Sequence, residues 1–316
     1  MKRREFVKRT ASATALAAAC GGVGWAFHDL DVAGYEAPLK KTTSFAVPED
    51  KTLPKLTLAT GEDHAGALLR SLDAIGGIGR FVKKGERVII KPNIGWDRTP
   101  EQAADTNPVL VGKMVELCLK AGAEEVIVTD ITCNDPRRCF LRSGIREAAK
   151  AAGARVLLPN EDDYMTIDIG GEVLTSWPVL KYFVETDRLI NMPIVKHHGL
   201  TGATIGMKNF YGIIGGARHR LHQKIAQSIV ELTAFARPTL TVVDATRVLL
   251  RGGPQGGSLD DVAIENTVMC ATDIVAADAR GVEFLGRKAE DIGHIVLGQK
   301  TGLGSMDYLN VGYKEV

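Results

Sequence analysis

The chain has 316 residues, 45% hydrophobic and 24% charged, with a formal net charge of +1. Those proportions suit a globular protein with a sizeable core of its own, and the near-neutral balance excludes a bulk electrostatic pull toward nucleic acid. Its five cysteines form no CxxC pair, which excludes zinc-ribbon and ferredoxin ligand sets, so no iron–sulfur cluster is expected.

The first segment reads as an address. Arg3-Arg4-Glu5-Phe6-Val7-Lys8 precedes an Ala-rich run that ends near Phe27, and the pattern resembles a twin-arginine export signal. The apolar run is short and weak for a spanning helix. Residues 1–27 are therefore expected to be a signal segment, with the twin-arginine machinery as partner and a periplasmic or extracytoplasmic destination. Cys20 sits in a partial match to a lipoprotein cleavage box, so a lipid anchor at Cys20 is the other fate open to this segment. Residues 28–54 lack periodicity and carry Pro and Lys clusters, as a linker does. A single domain is expected over 55–316.

The domain opens with a strand at "KLTLATG". "DHAGALLRSLDAIGG" follows with helical spacing and a Gly-Gly stop. "ERVIIKPN" is a β-branched strand. "NPVLVGKMVELCLKAGA" is an amphipathic helix with Asn107 as N-cap and Pro108 in its first position. "EEVIVTDI" is a strand, "PRRCFLRSGIREAAKAAG" one helix, and "ARVLLPN" a further strand. "YMTIDIGGEVLTSWPVL" reads as a hairpin around Gly170-Gly171. "DRLINMPIVK" is expected as one strand, "LHQKIAQSIVELTAFA" as a helix, "TLTVVDATRVLL" and "TVMCAT" as strands, and "DIVAADARGVEFLG" as the last helix. Near-continuous apolar strands alternating with helices predict an α/β fold: a mostly parallel sheet, helices on both faces, and a small hairpin excursion.

In such sheets ligands bind beyond the carboxyl ends of the strands. The expected strand ends carry Lys91, Asn93, Asp130, Lys196, His197, His198, Asp244 and Asp273. The stretch from Lys196 to Gln223 concentrates the same chemistry: four of the chain's seven histidines, with Lys208, Asn209, Arg218 and repeated glycines. Cations with close-approaching backbone N–H groups suit a small anion, a carboxylate or a phosphate. Histidines that titrate near neutrality suit proton transfer. His198, Lys208 and His222 are thus the candidate catalytic groups. Lys91, Asn93, Lys196, His197, Asn209 and Arg218 are the candidate ligand contacts. Asp130 and Asp244 together are candidates for a divalent metal. Cys133 and Cys139 are spaced so that a disulfide could close "CNDPRRC", or both could be free thiols.

Taken together, "VIIKPN", "VKHHGLTGATIGMKNFYGIIGG" with the later "LHQ", "VVDATRVLLRGGPQGG" and "CATDIVAADARGVEFLG" resemble the bacterial and archaeal family of domain of unknown function 362. The resemblance runs in order over roughly residues 55 to 290. It marks Lys91, Pro92, Asn93, Lys196, His197 or His198, Lys208, Asn209, Gly212, His222, Asp244, Gly253, Pro254, Gly256, Asp273 and Asp278 as motif positions. A fainter similarity is to the nickel-pincer lactate racemase family, in which a histidine stands ten residues before a cofactor-bearing lysine. His198 and Lys208 have that spacing, with His222 beyond.

Three functions remain open at this level. The first is an exported, isomerase-like enzyme acting on a small anionic metabolite by His/Lys acid–base chemistry. The second is an anion- or metal-binding protein without turnover. The third is a cofactor-carrying accessory or maturation protein.

Overall fold

The computed structural model describes residues 44–316. The twin-arginine segment and Cys20 lie outside the described residues. Twelve strands form among the described residues: β1 (Leu56–Thr60), β2 (Arg87–Pro92), β3 (Glu125–Val128), β4 (Arg155–Val156), β5 (Tyr164–Asp168), β6 (Ser176–Leu180), β7 (Arg188–Met192), β8 (Ile194–His198), β9 (Gly202–Thr204), β10 (Leu240–Leu249), β11 (Val262–Ala271) and β12 (Tyr313–Glu315). Ten of them make one mixed sheet in the order β12-β1-β11-β10-β7-β2-β3-β4, with β8 and β9 branching from β10. The run β10-β7-β2-β3-β4 is parallel, whereas β11 is antiparallel to both neighbours. β5 and β6 pair alone, as the expected hairpin.

Both faces of the sheet are covered, because successive residues of a strand point to opposite sides. Val88, Ile90 and Val242 pack with Leu68 and Leu72 of the helix His64–Ala74 and with Leu110 and Met114 of the helix Pro108–Lys120. Ile89, Ile127 and Val243 pack on the other side with Ile229, Val275 and Ile295. These three belong to the helices Ile225–Ala236, Ile274–Gly281 and Gly293–Lys300. Each fully buried aliphatic side chain contributes about 1.5–3 kcal/mol. The helix Pro108–Lys120 starts as its sequence dictates, with the Asn107 side chain accepting the Val109 N–H.

Several expectations need correction. "PRRCFLRSGIREAAKAAG" is two helices, Pro136–Arg142 and Ile145–Ala151. Gly144, at φ +72°, turns the chain between them. "DRLINMPIVK" is two strands, because Pro193 has no N–H for the ladder. The break lets β8 leave β7 and pair with β10, at Asp244↔Ile194 and then, after a register shift, at Leu249↔Lys196. The strand β10 runs on to Leu249, so Asp244 lies in mid-strand rather than at its end. β12, at the sheet's edge, had no expected counterpart. Phe45 is buried, and its carbonyl accepts from Thr239 Oγ1, so the chain from Ser44 onward packs with the domain.

Candidate active site

The site forms at the carboxyl edge of β2, β3 and β8. β2 alternates Ile90, which points into one core, with Lys91, which points to the opposite face. Lys91 has no exposed surface, and its ammonium makes three hydrogen bonds: to Asp130 Oδ1 at 2.6 Å, Pro92 O at 2.8 Å and Asn209 Oδ1 at 3.2 Å. Burial pulls its pKa down, and Asp130 opposes that shift. Asp130 is equally occupied. Its Oδ1 also accepts from Ile131 N and its Oδ2 from Ile94 N. This buried pair explains Gly212, where a Cβ would overlap Asp130 Oδ1 and stand 2.7 Å from Lys91 Nζ.

Above this base the polar groups form a chain. Asn209 donates to Asn191 Oδ1 at 2.9 Å and accepts from Asn93 Nδ2 at 2.9 Å. Asn93 Oδ1 accepts from Lys196 Nζ at 2.9 Å, and the same ammonium donates to Ala104 O at 2.5 Å. One Lys196 proton remains for the cleft. Burial pushes the Lys196 pKa down, and the nearby Asp105 carboxylate, itself pushed up by burial, works against that shift.

Lys208 differs from the other two lysines. It lies in the short helix Gly206–Asn209, whose first two N–H groups are held by Asp278 at 2.7 and 3.1 Å. Burial raises the Asp278 carboxyl to about 7. The Lys208 side chain is 7% exposed and makes no hydrogen bond or ion pair among the described residues. Its ammonium stands 4.3 Å from the Tyr211 ring centroid, a cation–π contact. Burial lowers its pKa to about 8, and the charges of Lys196 and Arg218 push the same way.

His198 is held by its Nδ1, which accepts the N–H groups of Leu200 and Thr201 at 3.1 and 3.3 Å. That leaves the proton of the neutral ring on Nε2. Burial, then Lys208, Lys196 and the neighbouring histidines, lowers its pKa to about 3. At neutral pH His198 is therefore a hydrogen-bond donor rather than a titrating base. Arg218 gives three of its five N–H groups to the carbonyls of Tyr211, Thr132 and Ile131, at 3.1, 3.0 and 3.4 Å.

A cleft of about 450 Å³, open to solvent, is lined by Asn93, Asp130, Lys196, His198, Lys208, Asn209 and Arg218. Lys91 lies beneath it rather than in its wall. His222 is exposed and is not part of the lining; its ring stacks with that of Tyr211, the centroids 6.4 Å apart. Burial comes first among the causes that lower its pKa, with Lys208 next. His197 also stays out of the lining; its carbonyl is covered by Gly253, where a Cβ would overlap it.

Asp244 is remote in role. Its oxygens accept from Asn107 N, Thr246 N and Thr246 Oγ1. The expected Asp130–Asp244 metal pair therefore has both carboxylates engaged by protein donors. Among the described residues no three His, Cys, Asp or Glu side chains converge as metal ligands. Asp273 caps the helix Ile274–Gly281 by accepting from Ala276 N, so that strand-end position is structural. Cys133 and Cys139 are free thiols, one exposed and one buried.

Trp96, Cys133, Thr204, Tyr211 and Pro254 also line the cleft. Cys133 follows the end of β3 and was reachable by the strand-end rule. Thr204 and Trp96 carry no local sequence signal.

Residues 88–283 match the family described as a domain of unknown function (DUF362). The chain belongs to this family. The match contains every cleft residue named above, so the cleft is a feature of the family's region of the chain. A thylakoid-associated protein of Synechocystis sp. is 24% identical over 227 residues, which is 68% of this chain and 69% of its own length. Among solved structures, the lactate racemase apoprotein from Thermoanaerobacterium thermosaccharolyticum aligns with a TM-score of 0.44 at 14% identity, over 80% of this chain and 62% of that one. A Thermotoga maritima protein aligns with a TM-score of 0.34 at 12% identity, over 71% and 58%. This chain thus spans less than two thirds of either solved neighbour.

Proposed function

We propose that this DUF362 protein is an enzyme that moves a proton on a small anionic metabolite, with isomerase-like chemistry. One observation carries the reading: a nearly buried lysine, Lys208, lines the cleft with no acceptor among the described residues and a pKa near 8. A buried ammonium without a partner is costly, and function is the usual reason to retain it. Lys196 has one free N–H to hold the anion. Lys208 exchanges a proton near working pH, as an acid–base group must. His198, neutral with its Nε2–H free of the backbone, can donate to an oxygen on which charge develops, as a preorganised donor does. Asp278 and Tyr211 set the position of Lys208 from below and beside it.

The test works whichever product forms. The protein is incubated in D2O with a panel of small carboxylates and phosphates, and carbon-bound hydrogen exchange is followed by NMR. The expected result is exchange in at least one compound, lost in Lys208→Gln. Binding without exchange across the panel supports the second reading, an anion-binding protein without turnover.

We also propose an extracytoplasmic location. The paired Arg3 and Arg4 support it, as does the thylakoid-associated relative. Replacing both arginines with lysine should retain the precursor in the cytoplasm; normal export of that variant refutes the twin-arginine route.

A further inference from the structure

The charges at the cleft do not cancel. Lys91, Lys196, Lys208 and Arg218 bring four positive charges to it or directly beneath it. At most two carboxylates answer them. Asp130 pairs with Lys91 at 2.6 Å, and Asp105 acts on Lys196. His198 adds no charge at neutral pH. Lys208 and Arg218 are left with no carboxylate partner among the described residues, an excess of two charges, one of them on the nearly buried Lys208, where screening is weak.

Two side chains in the wall are also short of partners. Lys208 is 7% exposed and unbonded, and the Thr204 hydroxyl, on a residue 4% exposed, has no partner among the described residues. Buried hydroxyls are nearly always hydrogen-bonded, so an unpartnered one on a residue that lines a cleft calls for a partner atom there. Thr204 ends β9, four residues before Lys208, and the turn between them is fixed by the Asp278 carboxylate. Three of the five Arg218 N–H groups are taken by the carbonyls of Ile131, Tyr211 and Thr132. The donors that line the cleft with the open hydroxyl include two ammonium groups, Lys208 and Lys196, which bind oxyanions as point charges.

We propose that the ligand is a small doubly charged oxyanion, held by Lys208 and Lys196, and that Thr204 donates a hydrogen bond to it. This rests on the anion-site reading above and narrows it to dianions, with Thr204 as a binding residue. Phosphomonoesters and short dicarboxylates share the required chemistry.

Calorimetric titration of the full chain at pH 7 with methyl phosphate, malonate and acetate tests the idea. At least one dianion should bind tenfold or more tightly than acetate, and the tighter of the two identifies the source. Lys208→Met should weaken that dianion at least tenfold. Thr204→Val should weaken it roughly five- to tenfold, the loss of one hydrogen bond. The same variant should leave the melting temperature of the ligand-free protein unchanged or raised, because it removes a buried hydroxyl that has no partner. A hydroxyl with a purely structural role would give the opposite sign. Acetate binding as tightly as either dianion, with Lys208 still required, overturns the dianion inference and leaves the anion site standing. Failure of all three probes to bind overturns both. A lowered melting temperature or an unchanged affinity in Thr204→Val removes Thr204 from the site.

Discussion

Gly212→Ala is a one-methyl test of the site's foundation. The added Cβ would overlap Asp130 Oδ1 and stand 2.7 Å from Lys91 Nζ. Neither side chain has room to retreat, because they are 0% and 3% exposed and bonded to the backbone at Pro92, Ile94 and Ile131. The Gly212 backbone is not left-handed, so the alanine itself adds no φ strain. The effect is therefore the loss of a buried ion pair, about 3–5 kcal/mol when one partner is displaced. For a domain of this size that is on the order of 10 °C in melting temperature. Gly79→Ala is the control. Gly79 has no neighbour within 4 Å of its would-be Cβ and sits in the helical turn Ile78–Phe81, so alanine should stabilise by up to about 1 kcal/mol. Asp130→Asn should cost as much as Gly212→Ala, and the double variant little more than either alone, since all act through one interaction. Denaturant unfolding followed by fluorescence and circular dichroism reads each value. If Gly212→Ala unfolds at the wild-type midpoint, the steric argument and the rigidity assigned to the Lys91–Asp130 base are both wrong.

Lys208→Met should stabilise the ligand-free protein at pH 7, by about 1–3 kcal/mol, because a folded pKa near 8 against 10.5 means that the fold opposes the ammonium. The sign follows: between pH 8 and 10.5 the unfolded chain holds more protons than the folded one, so wild-type stability rises with pH there and the Met variant lacks that rise. A variant less stable than wild type at pH 7 contradicts the isolated buried amine. Imidazole NMR should find His198 neutral, with its proton on Nε2, down to about pH 4, since its folded pKa is about 3; protonation at pH 6 excludes the neutral-donor role. The same depressed pKa withdraws stability as pH falls below 6.5, the unfolded value, until the loss is complete near 3. Asp278→Leu removes the acceptor for two buried N–H groups, at about 1–3 kcal/mol each, and should loosen Lys208, read as higher amide exchange over residues 205–209 together with a lower melting temperature.

What the sequence determined is the local and the additive. Period-two and period-3.6 patterning placed most strands and helices, Asn107-Pro108 started its helix, and apolar strands alternating with helices implied a sheet covered on both faces. The strand-end rule and the cation-rich glycine stretch together pointed to Lys196, His198, Lys208, Asn209, Asn93 and Asp130. Only the tertiary structure decided their roles, because a role depends on what else reaches the same atom. Lys91 and Lys208 read alike as lysines beside apolar residues, yet one is saturated by Asp130, Pro92 and Asn209 and the other has no acceptor among the described residues. Asp244 reads as a ligand until Thr246 and the distant Asn107 are found on its oxygens. His198 reads as a base until two backbone N–H groups claim Nδ1 and burial, with the nearby lysines and histidines, suppresses its charge. Burial and charge at a point are sums over residues distant in the chain, and no window of sequence contains those sums.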